Sequence, residues 1–239
     1  MTVNSSSSKK IGIIAGSGPE AGLDLWNKLL QANRALHGDR FRGDLDAPNV
    51  TLFSEPALGL SMELEANDEA VWSCLKSAAQ TMAMRVDYYA IACNTLNYYQ
   101  PRLEALGLPA TLVSFADTAR EFVQANGIER LALLGALPVT DLGLWSHYRA
   151  LADHVQIELP RQAEAARLHR LIYDVKTFGG NVPDIRRRFR AILDELESDT
   201  VLLACTELPL IPLDSSRKRI VDVTELVAHK LARLAIQQP

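Results

Sequence analysis

A run of about 18 apolar residues, the least that carries a helix across a membrane, is absent from this chain of 239 residues, which excludes a helical integral membrane protein. Residues 1–10 are polar and serine-rich, without the apolar stretch of a secretion signal; they read as a frayed tail and point to the cytoplasm. Cysteine is scarce. Cys74, Cys93 and Cys205 are an odd set with no CxxC pair, so no disulfide framework is expected. The histidines His37, His147, His154, His169 and His229 form no HExxH or closely spaced cluster, so no metal is expected. Basic residues are not in excess: 25 Lys and Arg against 29 Asp and Glu leave a net charge of −4, which argues against nucleic acid as a partner. No Pro-, Gly- or Ser-rich linker divides the chain.

The chain does hold 48% apolar residues, enough for a sizeable core. Short, nearly continuous apolar runs at 11–15, 49–53, 88–92, 111–114, 130–134, 155–159, 200–204 and 219–223 suit strands of parallel sheets covered on both faces. Helical periodicity falls between them at 20–36, 65–85, 98–106, 117–125, 142–152, 162–176, 183–196 and 223–236. Gly107 and Gly127 read as helix stops and Pro183 as a first-turn proline. The alternation predicts an α/β fold with right-handed crossovers.

The two halves echo one another. The first opens KKIGIIAGSGPEAG and later runs DYYAIACNTLN; the second opens IERLALLGALPVTD and later runs DTVLLACTELP. Each half has a strand leading into a glycine-containing loop, and later an apolar strand ending in Ala-Cys with Thr close behind. Two similar lobes are therefore expected, 11–114 and 115–222, with the last helix, 223–236, packing back on the first. Ligands of open α/β sheets bind beyond the carboxyl ends of strands, which is where Cys93 and Cys205 fall. Facing lobes put the two thiols on opposite walls of one cleft.

A lone cysteine after an apolar strand is usually a small buried hydrophobe. A pair at matched positions of a repeat points to chemistry. Helix N-termini are expected after both cysteines and would lower a thiol pKa from its usual value of about 8.5. One thiolate can then remove a proton while the opposite thiol delivers one, which suits inversion at a carbon acid. A protease-like nucleophile would want a histidine partner, and none lies near either cysteine in sequence. Cys74, inside a helical stretch with Trp72 and Leu75, reads as a packing residue. The loop Gly16-Ser17-Gly18-Pro19-Glu20-Ala21-Gly22 can approach a carboxylate or phosphate, or is simply a tight strand–helix turn. Its GxGxxxG spacing is not the GxGxxG of a dinucleotide fold. Asn94 and Thr95 after Cys93, Thr206 and Glu207 after Cys205, and Thr140 in the loop 135–140 offer groups that hold a carboxylate; such residues equally cap helices. Arg186-Arg187-Arg188-Phe189-Arg190 reads as a solvated helix face and Arg217-Lys218-Arg219 as a surface turn.

Taken together, these segments resemble the aspartate/glutamate racemase family. IGIIAGSGPEAG is similar to the family's IGxxGGMGPxAT, YYAIACNTLNYY to its ACNTAH segment, LLACTELPLI to its GCTELPLL segment, and LHRLIYDVKTFGG to the helix that precedes the latter. The resemblance runs from Ile11 to about Pro212. It implies two Rossmann-like or flavodoxin-like lobes with pseudo-twofold symmetry and no pyridoxal phosphate or metal. Cys93 and Cys205 would act from opposite faces of a substrate α-carbon. Asn94, Thr95 and Thr206, with the loop at Gly16 and Ser17, would lie at its α-carboxylate. A homodimer is implied as well. The chain departs from the pattern at Ser17 (usually Met), Gly22 (usually Thr) and Asn97 (usually His). Segment 55–63 lacks the arginine with which aspartate-specific members grip a distal carboxylate, and Gly179-Gly180-Asn181 lacks a basic residue often found there. The expectation is a retained thiol pair without these cations. The implied activity is cofactor-independent racemisation of aspartate, glutamate or a related carboxylate-bearing amino acid. The alternatives are decarboxylation or cis–trans isomerisation of a small dicarboxylic acid, and a non-catalytic small-molecule binder on the same scaffold.

Overall fold

The computed structural model describes residues 8–214 and 216–236. The first half comprises β1 (Ile11–Ala15), α1 (Pro19–His37), β2 (Val50–Ser54), α2 (Leu64–Ala83), β3 (Tyr88–Ile91), α3 (Gln100–Glu104), β4 (Thr111–Leu112) and α4 (Phe115–Ala125). The second comprises β5 (Arg130–Leu134), α5 (Leu137–Thr140), β6 (Gln156–Glu158), α6 (Gln162–Phe178), α7 (Pro183–Asp194), β7 (Thr200–Leu203), β8 (Arg219–Asp222) and α8 (Val223–Ala235). Both sheets are four-stranded and parallel, in the orders β2-β1-β3-β4 and β6-β5-β7-β8. Every strand of the second sheet thus holds the place of its counterpart in the first, and the expected α/β fold with two similar parallel sheets is found.

The inner strands are apolar because both their faces are covered. On β1, Ile11 and Ile13 pack with Leu25 and Leu29 of α1, whereas Ile14 packs with Leu75 and Met82 of α2. On β5, Leu131 and Leu133 join the cluster of Ile11 and Ile13, whereas Ala132 and Leu134 meet Leu171 and Phe189 from α6 and α7. One core is therefore shared by the facing sides of the two sheets. Helix α8 belongs to it: Val223, Val227 and Leu231 are fully buried in the cluster that holds Leu25 and Leu29 of α1.

Two expectations need correction. Residues 1–7 of the expected tail lie outside the described residues. Its last two residues are tied down: Lys9 N donates to Ala235 O at 3.2 Å and Lys10 N to Asp87 Oδ2 at 2.8 Å. Stretch 142–152 is not an α-helix. Leu142 has φ 51°, and the Asp141 carboxylate accepts from Gly143 N at 2.9 Å, closing a turn instead of a helical hydrogen bond. Ser146 Oγ donates to Val139 O at 2.6 Å, Trp145 packs on Tyr98 of the first half, and only a short 3-10 turn comes after, at Arg149–Asp153.

Candidate active site

Three strands point their carboxyl ends at one place. After β1 the backbone turns through Gly16 (φ 125°) and Gly18 (φ 90°), a region that favours glycine. A Cβ on Gly16 would sit 2.0 Å from the Glu55 carbonyl oxygen, and one on Gly18 would sit 2.2 Å from Glu207 Oε1. After β3 comes Cys93, 7% exposed, and after β7 comes Cys205, 5% exposed; both are free thiols. The two cysteine loops touch, since Thr206 Oγ1 donates to the Ala92 carbonyl at 3.4 Å.

The thiols have different neighbours. Ser61 Oγ, fully buried, lies 3.8 Å from Cys93 Sγ and 2.8 Å from Ser17 Oγ. Ser61 comes from the 3-10 turn Pro56–Glu63 between β2 and α2. That turn also puts Leu58 in the apolar cluster of Cys93 and Leu96, and Met62 in the cluster of Cys205 and Leu208. It is tied to α6 where Tyr173 Oη donates to Glu63 Oε1 at 2.6 Å. Cys205 Sγ donates to Glu207 Oε2 at 3.1 Å, and Glu207 Oε1 accepts from Lys176 Nζ at 2.6 Å. Burial, and then the Glu207 carboxylate, push the Cys205 thiol well above its ordinary pKa. Burial would lower the pKa of Lys176, but the charge of Glu207 and then the Cys93 and Cys205 sulfurs outweigh it and hold the ammonium above its usual value. Lys176 therefore lies within electrostatic reach of both thiols.

The expectation of helix N-termini behind the cysteines is not met. The chain instead enters 3-10 turns, Thr95–Tyr99 after Cys93 and Leu208–Leu210 after Cys205, too short to add up a macrodipole. Asn94 caps nothing with its side chain. Its Oδ1 accepts from Tyr148 Oη at 2.6 Å, and its amide nitrogen is buried with no partner among the described residues. Tyr148 is held protonated by burial, reinforced by the charge of Asp222. Asn97 donates to the Cys93 carbonyl at 2.9 Å and accepts from Phe115 N at 3.2 Å, fixing the cysteine loop to the start of α4. Thr95 is buried beside Asn94. Thr140 donates to Ala136 O at 3.3 Å in α5, a bond within its own helix rather than to the thiols.

The cations missing from 55–63 and from Gly179-Gly180-Asn181 are not replaced by an arginine among the described residues, and the cation that does enter the site is Lys176 of α6. Ser61, Tyr148 and Lys176 were all missed by sequence reasoning. Lys176 left a signal: it lies on the buried stripe of α6, four residues after Ile172 and eight after Leu168, where a charged residue is out of place. The two histidines near the second-half loops pair with neither thiol. His147 has both ring nitrogens buried without partners and is pushed down by burial to about 3; His169 Nδ1 accepts from Leu137 N. Cys74 is half-buried in α2, and Arg186, Arg187 and Arg188 pair with Asp214, Asp184 and Asp174 along α7. No helix among the described residues is long and apolar enough to cross a membrane.

Paired parallel sheets of one strand order, each ending an inner strand in a buried thiol, define a two-sheet α/β protein with a double-thiol site. A family model for Asp/Glu/Hydantoin racemase matches residues 14–231, and the chain belongs to that family. It is 22% identical over 201 residues to the broad specificity amino-acid racemase RacX of Bacillus subtilis (strain 168), covering 83% of this chain and 85% of that one. An aspartate racemase homologue from Pyrococcus horikoshii OT3 is 25% identical with TM-score 0.75, over 95% of this chain and 99% of that one. The aspartate racemase of Picrophilus torridus is 21% identical with TM-score 0.79, over 95% of this chain and 94% of that one.

Proposed function

We propose that the protein is an amino-acid racemase that inverts the α-carbon with two cysteines and no pyridoxal phosphate or metal. The observation that carries this reading is the pair of buried thiols, Cys93 and Cys205, at corresponding strand ends whose loops are in contact. Cys205 rests as a thiol, hydrogen-bonded to Glu207, and is the proton donor in one direction. Cys93 takes the α-proton in that direction; the carbanion is then protonated by Cys205 on the opposite face, and the roles exchange for the reverse reaction. Lys176, near both sulfurs, stabilises whichever is the thiolate. The free amide N–H of Asn94 binds the substrate's α-carboxylate, beside Thr95, Thr206 and the Gly16-Ser17 loop. Aspartate and glutamate are the substrates the family name suggests, and the name of the Bacillus relative suggests a wider range. The exposed stripe of Leu23, Trp26 and Leu30 on α1 supports a homodimer.

Incubation with L- and D-amino acids in deuterated water tests the reading, with α-proton loss followed by NMR. Exchange accompanied by appearance of the other enantiomer is expected. Folded protein that exchanges no amino acid in a broad panel overturns it.

Tyr148 is a positioning residue in this scheme, since its hydroxyl decides which way the Asn94 amide faces. Tyr148→Phe removes one buried hydrogen bond, about 1–1.5 kcal/mol. KM should rise roughly tenfold while kcat changes less. An unchanged KM would show that the amide needs no such support.

A further inference from the structure

The charges around the two thiols restrict the substrate further, given that the protein is a racemase as proposed above. Among the described residues, the charged side chains bonded into the site are Lys176 and Glu207, and they are bonded to each other at 2.6 Å. The ammonium is thus already matched by a carboxylate that is itself 6% exposed. A second charged group, in which Lys28 meets both Asp24 and Asp222 with Nζ 2.6 Å from Asp222 Oδ2, acts on Tyr148 through the charge of Asp222; two carboxylates share one ammonium there. The turn Pro56–Glu63 brings Ser61 Oγ to 3.8 Å from Cys93 Sγ, while its Leu58 joins the apolar cluster that holds Cys93 and its Met62 the one that holds Cys205. That turn adds no cation: its one charged residue is Glu63, an anion that accepts from Tyr173 Oη.

An amino acid's own ammonium and α-carboxylate cancel, so a substrate with an uncharged side chain enters such a site without adding net charge. A side-chain carboxylate would be a second anion beside a catalytic thiolate, with no unmatched cation to meet it. Burying it unpaired is disfavoured.

We propose that the site discriminates against aspartate and glutamate in favour of α-amino acids with uncharged side chains, because Lys176 is neutralised by Glu207 and the turn beside Cys93 adds no cation. Selectivity is then set by Glu207 and by that turn.

The test compares near-isosteric pairs on the wild-type enzyme. Asparagine is measured against aspartate and glutamine against glutamate, with methionine, leucine and serine completing the panel. The readout is α-deuterium exchange in deuterated water. Uncharged amino acids should be exchanged with kcat/KM at least about 100-fold above aspartate and glutamate, a ratio equivalent to about 2.7 kcal/mol. Aspartate or glutamate exchanging as fast as the best uncharged amino acid overturns the proposal and leaves the racemase reading standing. Absence of exchange with every member overturns both.

Discussion

With Cys93 replaced by alanine, interconversion of enantiomers should stop, and the same should hold for Cys205→Ala. Each direction of inversion needs one sulfur to take a proton and the other to give one, so no direction survives the loss of either. A single positioned acid or base is worth about 10²–10⁴-fold, and racemisation should fall by at least about 10³-fold in each variant. The loss should not reflect unfolding. Both positions are small side chains at strand ends, and Cys93→Ala leaves the Ser17–Ser61 hydrogen bond while Cys205→Ala leaves the Lys176–Glu207 pair. Serine variants are more discriminating. Cys205→Ser should retain some exchange of one enantiomer's α-proton at Cys93 while losing full inversion. A circular-dichroism melt alongside the exchange assay separates folding from chemistry; undiminished turnover in both alanine variants would sink the two-thiol mechanism.

Lys176→Met should damage both stability and activity. The variant leaves the Glu207 carboxylate buried, facing the Cys205 thiol, with no counter-charge. Removing one partner of a buried pair typically costs about 3–5 kcal/mol, and for a chain of this size that lowers the melting temperature by on the order of 10 °C. Turnover should fall as well, since neither thiolate keeps its neighbouring cation. The double variant Lys176→Met/Glu207→Gln removes the stranded charge. It should recover most of the stability and none of the rate, which separates the ion pair's structural role from its role at the sulfurs. A single variant that melts like the wild type would show the pair to be dispensable.

Most of the architecture is legible in the sequence because it is written in local pattern. The runs read as β1 and β5 coincide with the observed strand bounds, since the covered part of such a strand is apolar; in β5 that is Leu131–Leu134, with Arg130 exposed at its start. The cysteines stand out by repetition, Ala-Cys closing the same strand in each half. The stretch 142–152 misleads because its apolar residues have helical spacing. Trp145 and Tyr148 instead reach across to Tyr98 and Asn94 of the other half, and such contacts leave no local trace. Ser61 is similar: it meets Cys93 across 32 residues from a turn whose sequence is ordinary. The Thr206–Ala92 contact spans 114 residues and joins the two halves of the site, so only the folded chain brings them together.

The position of α8 bears on the order in which the molecule can be made. Its residues Val223, Val227 and Leu231 fill the space against Leu25 and Leu29 of α1, and a ribosome delivers α1 long before α8. While the intervening chain emerges, the apolar face of α1 has β1 for cover but not its partner helix α8. The core beneath the first sheet is therefore closed late, and the nascent chain carries an open hydrophobic seam on α1 until α8 arrives.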